Sequence, residues 1–174
     1  AGMSPQSLLL EIARNQLSSG IIENNFSKGV DGLKMLLPFS NPTRTQIMRL
    51  IRTGLDYRAV FEKFMSIAGV NGYMLQMVSE FGVKYSFKDI SLTALKRLES
   101  LMLCDLDNDK YQHNYLEAVK NSGDVEFMNR AYELLEHIQN PSTAVFQYAT
   151  YFSKLSSILL PASKQSSFID EDCV

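Results

Sequence analysis

Helix boundary signals recur along this chain at intervals that leave room only for short helices. Ser4-Pro5 sets a capping hydroxyl before a proline at the first helical position, where the missing N–H would be unpaired anyway, and Leu8, Leu9, Ile12 and Leu17 follow before Gly20. Gly29 to Leu37 is an apolar run closed by Pro38, and Asn41-Pro42 repeats the cap-plus-proline signal for a helix ending at Gly54. Asp56 opens the next helix. Its Val60, Phe61, Phe64, Met65 and Ala68 recur every three or four residues, and Gly69 supplies a left-handed stop.

Asn71 to Phe81 reads as a helix closed by Gly82, and Val83, Tyr85 and Phe87 alternate with polar residues over too few positions for a paired strand, so this passage reads as an extended connector. Ser91 caps a helix carrying Leu92, Leu95, Leu98, Leu101 and Met102; Asp105 to Asp109 is a loop, with Asp109 capping a helix over Tyr111 to Lys120. Asp124 caps a helix whose Phe127, Met128, Ala131, Leu134, Leu135 and Ile138 form one apolar stripe before Asn140-Pro141.

The last helix, from Ser142 to Leu160, has apolar residues around half or more of its circumference, including Val145, Tyr148, Phe152, Leu155 and Leu159. A stripe that wide belongs at a centre. The fold class expected is therefore all-α: a compact bundle of about eight short helices around a broad apolar C-terminal helix. With 174 residues, 45% of them hydrophobic, one domain over residues 3–161 is expected, followed by a flexible polar and acidic tail over 162–174. Ten Phe, eight Tyr and eight Met supply the bulky side chains that the absent Trp would otherwise provide.

Charge is divided by position. Residues 1–98 carry twelve Lys and Arg against seven Asp and Glu, and residues 99–174 carry five against twelve, so a total of −2 conceals two opposite halves. A division of this kind suits a basic surface presented to an acidic ligand, or copies docking head to tail. On the third and fourth helices Arg44, Arg49, Arg52, Arg58 and Lys63 form the basic strip, with Arg49, Arg52 and Thr45 opposite Ile47, Leu50 and Ile51. Guanidinium forks and a hydroxyl suit phosphate, which makes nucleic acid as well as an acidic protein a candidate ligand. Glu126, Glu133 and Glu136 share the polar side of a later helix with Arg130 and are the candidate complement in another copy, and Phe152 is the candidate for an apolar self-contact.

No cofactor or metal is assigned. Asp105, Asp107 and Asp109 match the first three liganding positions of a calcium loop, but Lys110 stands where the turn needs Gly and Leu116 where it needs a bidentate Glu. Cys104 ends the run Leu101-Met102-Leu103, so a small buried side chain is the better reading than a nucleophile paired with His113. Cys104 and Cys173 lie in unlike contexts, which points to a reducing, intracellular and cytoplasmic setting. No stretch is long and apolar enough for membrane insertion, and no small-molecule substrate is evident.

The function expected is a non-enzymatic helical interaction or assembly module whose partner is another protein or a second copy. Residues 140–157 resemble helical segments of negative-strand RNA virus nucleoproteins, with no diagnostic motif, and no family is assigned on that likeness. The alternative function is RNA binding, as in a viral nucleocapsid protein, through the basic strip.

Overall fold

The computed structural model describes residue 2, residues 4–139 and residues 143–155. In that span the chain is all-helical: α1 (Pro5–Ile22), α2 (Phe26–Leu36), α3 (Arg44–Thr53), α4 (Tyr57–Ala68), α5 (Gly72–Lys84), α6 (Lys88–Cys104), α7 (Asp109–Ser122), α8 (Val125–Leu135) and α9 (Thr143–Leu155). The described helices cluster into two compact units, one up to Met74 and one from Leu75 onward. The expected tail over 162–174 lies outside the described residues.

In the first unit α1 and α2 approach until their backbones touch. A methyl group on Gly20 would lie 2.3 Å from the Gly29 nitrogen, and one on Gly32 would lie 2.4 Å from the Leu17 nitrogen. Gly20 is therefore inside α1, which continues to Ile22, and does not end it as the sequence suggested; the glycine is there for the crossing. α2 likewise begins at Phe26, ahead of Gly29, because Asn25 accepts the Lys28 N–H as an N-cap at 3.1 Å. α3 starts on a capping box, Thr43 accepting from Gln46 N–H at 3.1 Å while Gln46 accepts from Thr43 N–H at 2.8 Å, so Thr43 and not Asn41 is its cap. Leu17, Leu33, Ile47, Leu50, Ile51, Phe61 and Phe64 fill the core, with the Phe61 and Phe64 rings edge to face at 6.1 Å.

The second unit begins within α5. Every residue from Met74 to Gly82 is buried, so this stretch of α5 is covered on every face, whereas Val83 and Lys84 at its end are exposed. For α9, expected to hold that place, Val145 and Tyr148 are buried and Phe146 is 63% exposed, while the proposed continuation over 156–160 lies outside the described residues. Gly82 is interior to α5, where a methyl would meet Ser91 Cβ at 3.3 Å.

The passage read as an extended connector is a tight helical exit instead. Tyr85 N–H donates to Phe81 C=O at 2.9 Å and Phe87 N–H to Gly82 C=O at 2.7 Å, with Ser86 at φ 67°. α6 then starts at Lys88, and Ser91 is buried, donating to Ser79 C=O at 2.8 Å. Asn108, not Asp109, caps α7 by accepting from Tyr111 N–H at 3.0 Å.

Candidate functional site

The outward face of α3 is as its periodicity requires. Ile47, Leu50 and Ile51 are buried, and Thr45, Arg49 and Arg52 fall within about 60° of one another on the opposite, exposed side. Neither Arg49 nor Arg52 makes an ion pair or side-chain hydrogen bond among the described residues. The strip does not extend onto α4 as one surface. Arg58 and Lys63 are exposed but about 140° apart around a helix whose Val60, Phe61, Phe64 and Ala68 face inward, so they sit on opposite flanks. Arg44 is exposed at the first position of α3, off the Arg49–Arg52 line.

On α8, Glu126, Glu133 and Glu136 share one arc of about 80°, as expected. Glu126 and Glu136 are exposed; Glu133 is half-buried, and its Oε2 has no hydrogen-bond partner among the described residues. Arg130 leaves this arc. Its guanidinium turns inward to pair through Nη2 and Nε, the latter at 2.8 Å, with Glu99, whose side chain is 1% exposed. Tyr115 OH donates to the same carboxylate at 2.7 Å, so an acid, a base and a phenol from three helices satisfy one another inside the unit. The side chain of Phe152 lies outside the described residues.

A second polar chain crosses the same unit. Asn114 Nδ2 donates to Gln76 Oε1 at 2.8 Å, and Gln76 Nε2 donates to Glu80 Oε2 at 2.7 Å. Nearby on α7, Glu117 accepts from Tyr148 OH and from Asn121 Nδ2, and His113 lies with its ring 6.2 Å from that of Tyr148. Burial pushes the Tyr148 phenol above its ordinary value, and the hydrogen bond and charge of Glu117 push it further. Burial alone would raise Glu117, but the bonds from Tyr148 and Asn121 and the charges of Lys120 and His113 outweigh it and hold the carboxyl below its ordinary value.

Cys104 carries no free thiol, so the pairing with His113 weighed from sequence has no nucleophile, and the cysteines give no argument for a reducing setting. Among the described residues no helix is long and apolar enough to cross a membrane. In the acidic turn, Asp105 accepts from Asn108 Nδ2 at 3.1 Å, and Gln112 ties the turn down by donating to Leu106 C=O at 2.7 Å.

In the first unit a groove of about 620 Å³ opens between the α1–α2 turn (Glu23, Asn24, Asn25, with Phe26 and Ser27 at the start of α2) and the α3–α4 turn (Thr53 to Asp56), and Ala59 and Val60 also line it. Leu55 at its edge is 106% exposed, and Ile22, next to Glu23, is 84% exposed. The signal in sequence is Leu55, a large aliphatic residue standing between Gly54 and Asp56 outside any helical stripe. Comparison with family models, curated proteins and solved structures finds no match to this chain.

Proposed function

We propose that this chain is a non-enzymatic assembly module that recognises an acidic helical face through α3, and that the matching face is the α8 arc of another copy. The observation that carries this reading is that opposite charge divides along the structural units. Residues 1–74 hold eight Lys and Arg against five Asp and Glu, and residues 75–174 hold nine against fourteen. Arg49 and Arg52 are three residues apart, as are Glu133 and Glu136, so each pair spans the same rise of about 4.5 Å along its helix. A basic patch meeting an acidic patch elsewhere on the chain is a heterologous contact, which extends from copy to copy until a ring closes.

Sedimentation at low and high salt tests this. Association should weaken as the Debye length falls toward about 3 Å near 1 M salt. Arg52→Glu and Glu136→Arg should each abolish it, and the two together should restore it; Glu136 is the residue to exchange because Glu133 is half-buried. Association indifferent to both salt and charge reversal would remove the reading.

RNA binding is the second reading, favoured by the exposed cluster of Thr45, Arg49 and Arg52. It requires that a generic single-stranded RNA bind with an affinity that falls steeply with salt and is lost in the Arg49→Glu, Arg52→Glu double variant.

A further inference from the structure

The chain carries two cysteines, Cys104 and Cys173, and Cys104 is disulfide-bonded, which leaves one sulfur in the chain to be its partner. We infer that Cys104 and Cys173 form a reversible disulfide, opened and closed by a low-molecular-weight thiol, that ties the acidic segment before Cys173 to the end of α6 and releases it on reduction. This device is independent of the charge contact proposed above, because it involves neither α3 nor α8.

The charges on either side of the bond oppose its closing. Cys104 is the last residue of α6 and is exposed, so a thiol in solution can reach it. The carbonyls at a helix C-terminus carry partial negative charge, and no basic residue stands in the last turn of α6 to offset it. The turn that follows adds Asp105, Asp107 and Asp109, all exposed, with Lys110 beside them. On the other side of the bond, Cys173 follows directly on Asp170, Glu171 and Asp172 in the sequence. Joining the two sulfurs therefore draws two acidic runs toward one place, and their repulsion favours the open form.

Closing the long loop over residues 105–172 restricts the unfolded chain and so favours the bond in the folded state. Exposure and like charge act the other way, and exposed or strained disulfides are the ones that thiols reduce most readily. The balance makes this bond a switch and not a permanent staple. To open it, one thiolate attacks a sulfur of the pair, forms a mixed disulfide with that cysteine and expels the other cysteine as a thiolate, which takes up a proton. A second thiol attacks the mixed disulfide. Two electrons and two protons have then passed to the protein, leaving two cysteine thiols and one small-molecule disulfide, and closing reverses each step.

The test equilibrates the full chain in mixtures of 2-mercaptoethanol and its disulfide, which are uncharged, so that salt acts on the protein alone. Thiols are then trapped and counted by mass. Without the thiol, a tryptic digest should contain the peptides Leu98–Lys110 and Gln165–Val174 joined, and electrophoresis without reductant should show a single chain. An excess of the thiol should separate them. Raising salt from about 0.01 M to 1 M shortens the Debye length from about 30 Å to 3 Å and should shift the equilibrium toward the disulfide by roughly tenfold. The Asp170→Asn, Asp172→Asn double variant should favour the disulfide at low salt and lose most of that salt response. Two free cysteines, or a bond between copies, would overturn the inference at its first step. A bond that excess thiol leaves closed would make it a staple, and an equilibrium indifferent to salt and to the double variant would remove the charge that loads the switch; either result overturns the inference as well.

Discussion

The helices before Met74 and those after it are held together by different chemistry. Among the described residues, the buried hydrophobic core of residues 1–74 is accompanied by no buried polar or charged side chain. Backbone closes on backbone at Gly20 and Gly32, where a methyl would lie 2.3 and 2.4 Å from a nitrogen of the facing helix. Residues 75–174 bury Gln76, Ser79, Glu80, Ser91, Glu99, Gln112, Asn114 and Asn129, all eight of the buried polar residues described. The first unit should therefore fail through volume and the second through a missing partner. A buried polar group costs little when satisfied and a great deal when stranded, whereas a backbone crossing has no charge to strand but no room to give.

The strongest way to break this comparison is at Glu99. Arg130→Met removes the charge facing a carboxylate that is 1% exposed and leaves it only Tyr115 OH among the bonds described. The expected loss is about 3–5 kcal/mol in urea unfolding, because an unpaired buried charge remains. Glu99→Gln combined with Arg130→Met should recover much of it, since the stranded charge is gone. A loss under about 1 kcal/mol for Arg130→Met alone, within the range of exposed pairs, would show that this network does not set the stability of the second unit.

Glycine substitutions sharpen the other side. Gly32→Ala puts a methyl 2.4 Å from the Leu17 nitrogen and 2.9 Å from Ala13 C=O, and backbone cannot step aside as a flexible side chain does. It should cost about 1–3 kcal/mol or more, enough to separate α1 from α2. Gly82→Ala meets Ser91 Cβ at 3.3 Å, and its helix-propensity gain of about 1 kcal/mol offsets that crowding, so a net change within about 1 kcal/mol of either sign is expected. Equal costs at the two sites would contradict the distinction between the units.

The same glycines explain what the sequence made legible. Gly69, at φ 55°, is the helix stop that its position after Ala68 suggested, and Asp56 and Asp124 cap the helices they were read to cap. Gly20 and Gly82 were read as stops on the same grounds and are interior, because a glycine chosen for close approach looks in sequence like one chosen for a left-handed φ. Local periodicity was enough to place Thr45, Arg49 and Arg52 on one face of α3. It was not enough to foresee that Arg130 turns in to Glu99, thirty-one residues away, or that two turns some thirty residues apart frame a groove. Those depend on which elements meet in space, and periodicity carries only which way each side chain points from its own helix.

The smallest expected effect concerns α7 and α9, where one bond joins a phenol to a carboxylate. Glu117 is held below its ordinary 4.5 in the folded chain, so the unfolded state takes up the proton first as pH falls. Its contribution to stability is full above 4.5 and is lost as pH drops through the lower folded value. Tyr148 is raised above its ordinary 10.0, so the unfolded state loses the phenolic proton first as pH rises; that contribution is full below 10.0 and is lost above it. Both contributions act together only between those limits. Tyr148→Phe removes the phenol and leaves Glu117 with Asn121, Lys120 and His113, and should cost about 1 kcal/mol near neutral pH, reduced from the usual value for a charged acceptor because Glu117 is half-exposed to solvent. The difference between parent and variant should then narrow at both ends, below 4.5 and above 10.0, when urea unfolding is followed across pH. A difference that stays constant across the whole range would mean that Tyr148 acts through ring packing against His113 and not through its hydroxyl, and the second unit would owe less to its polar bonds than the contrast with the first requires.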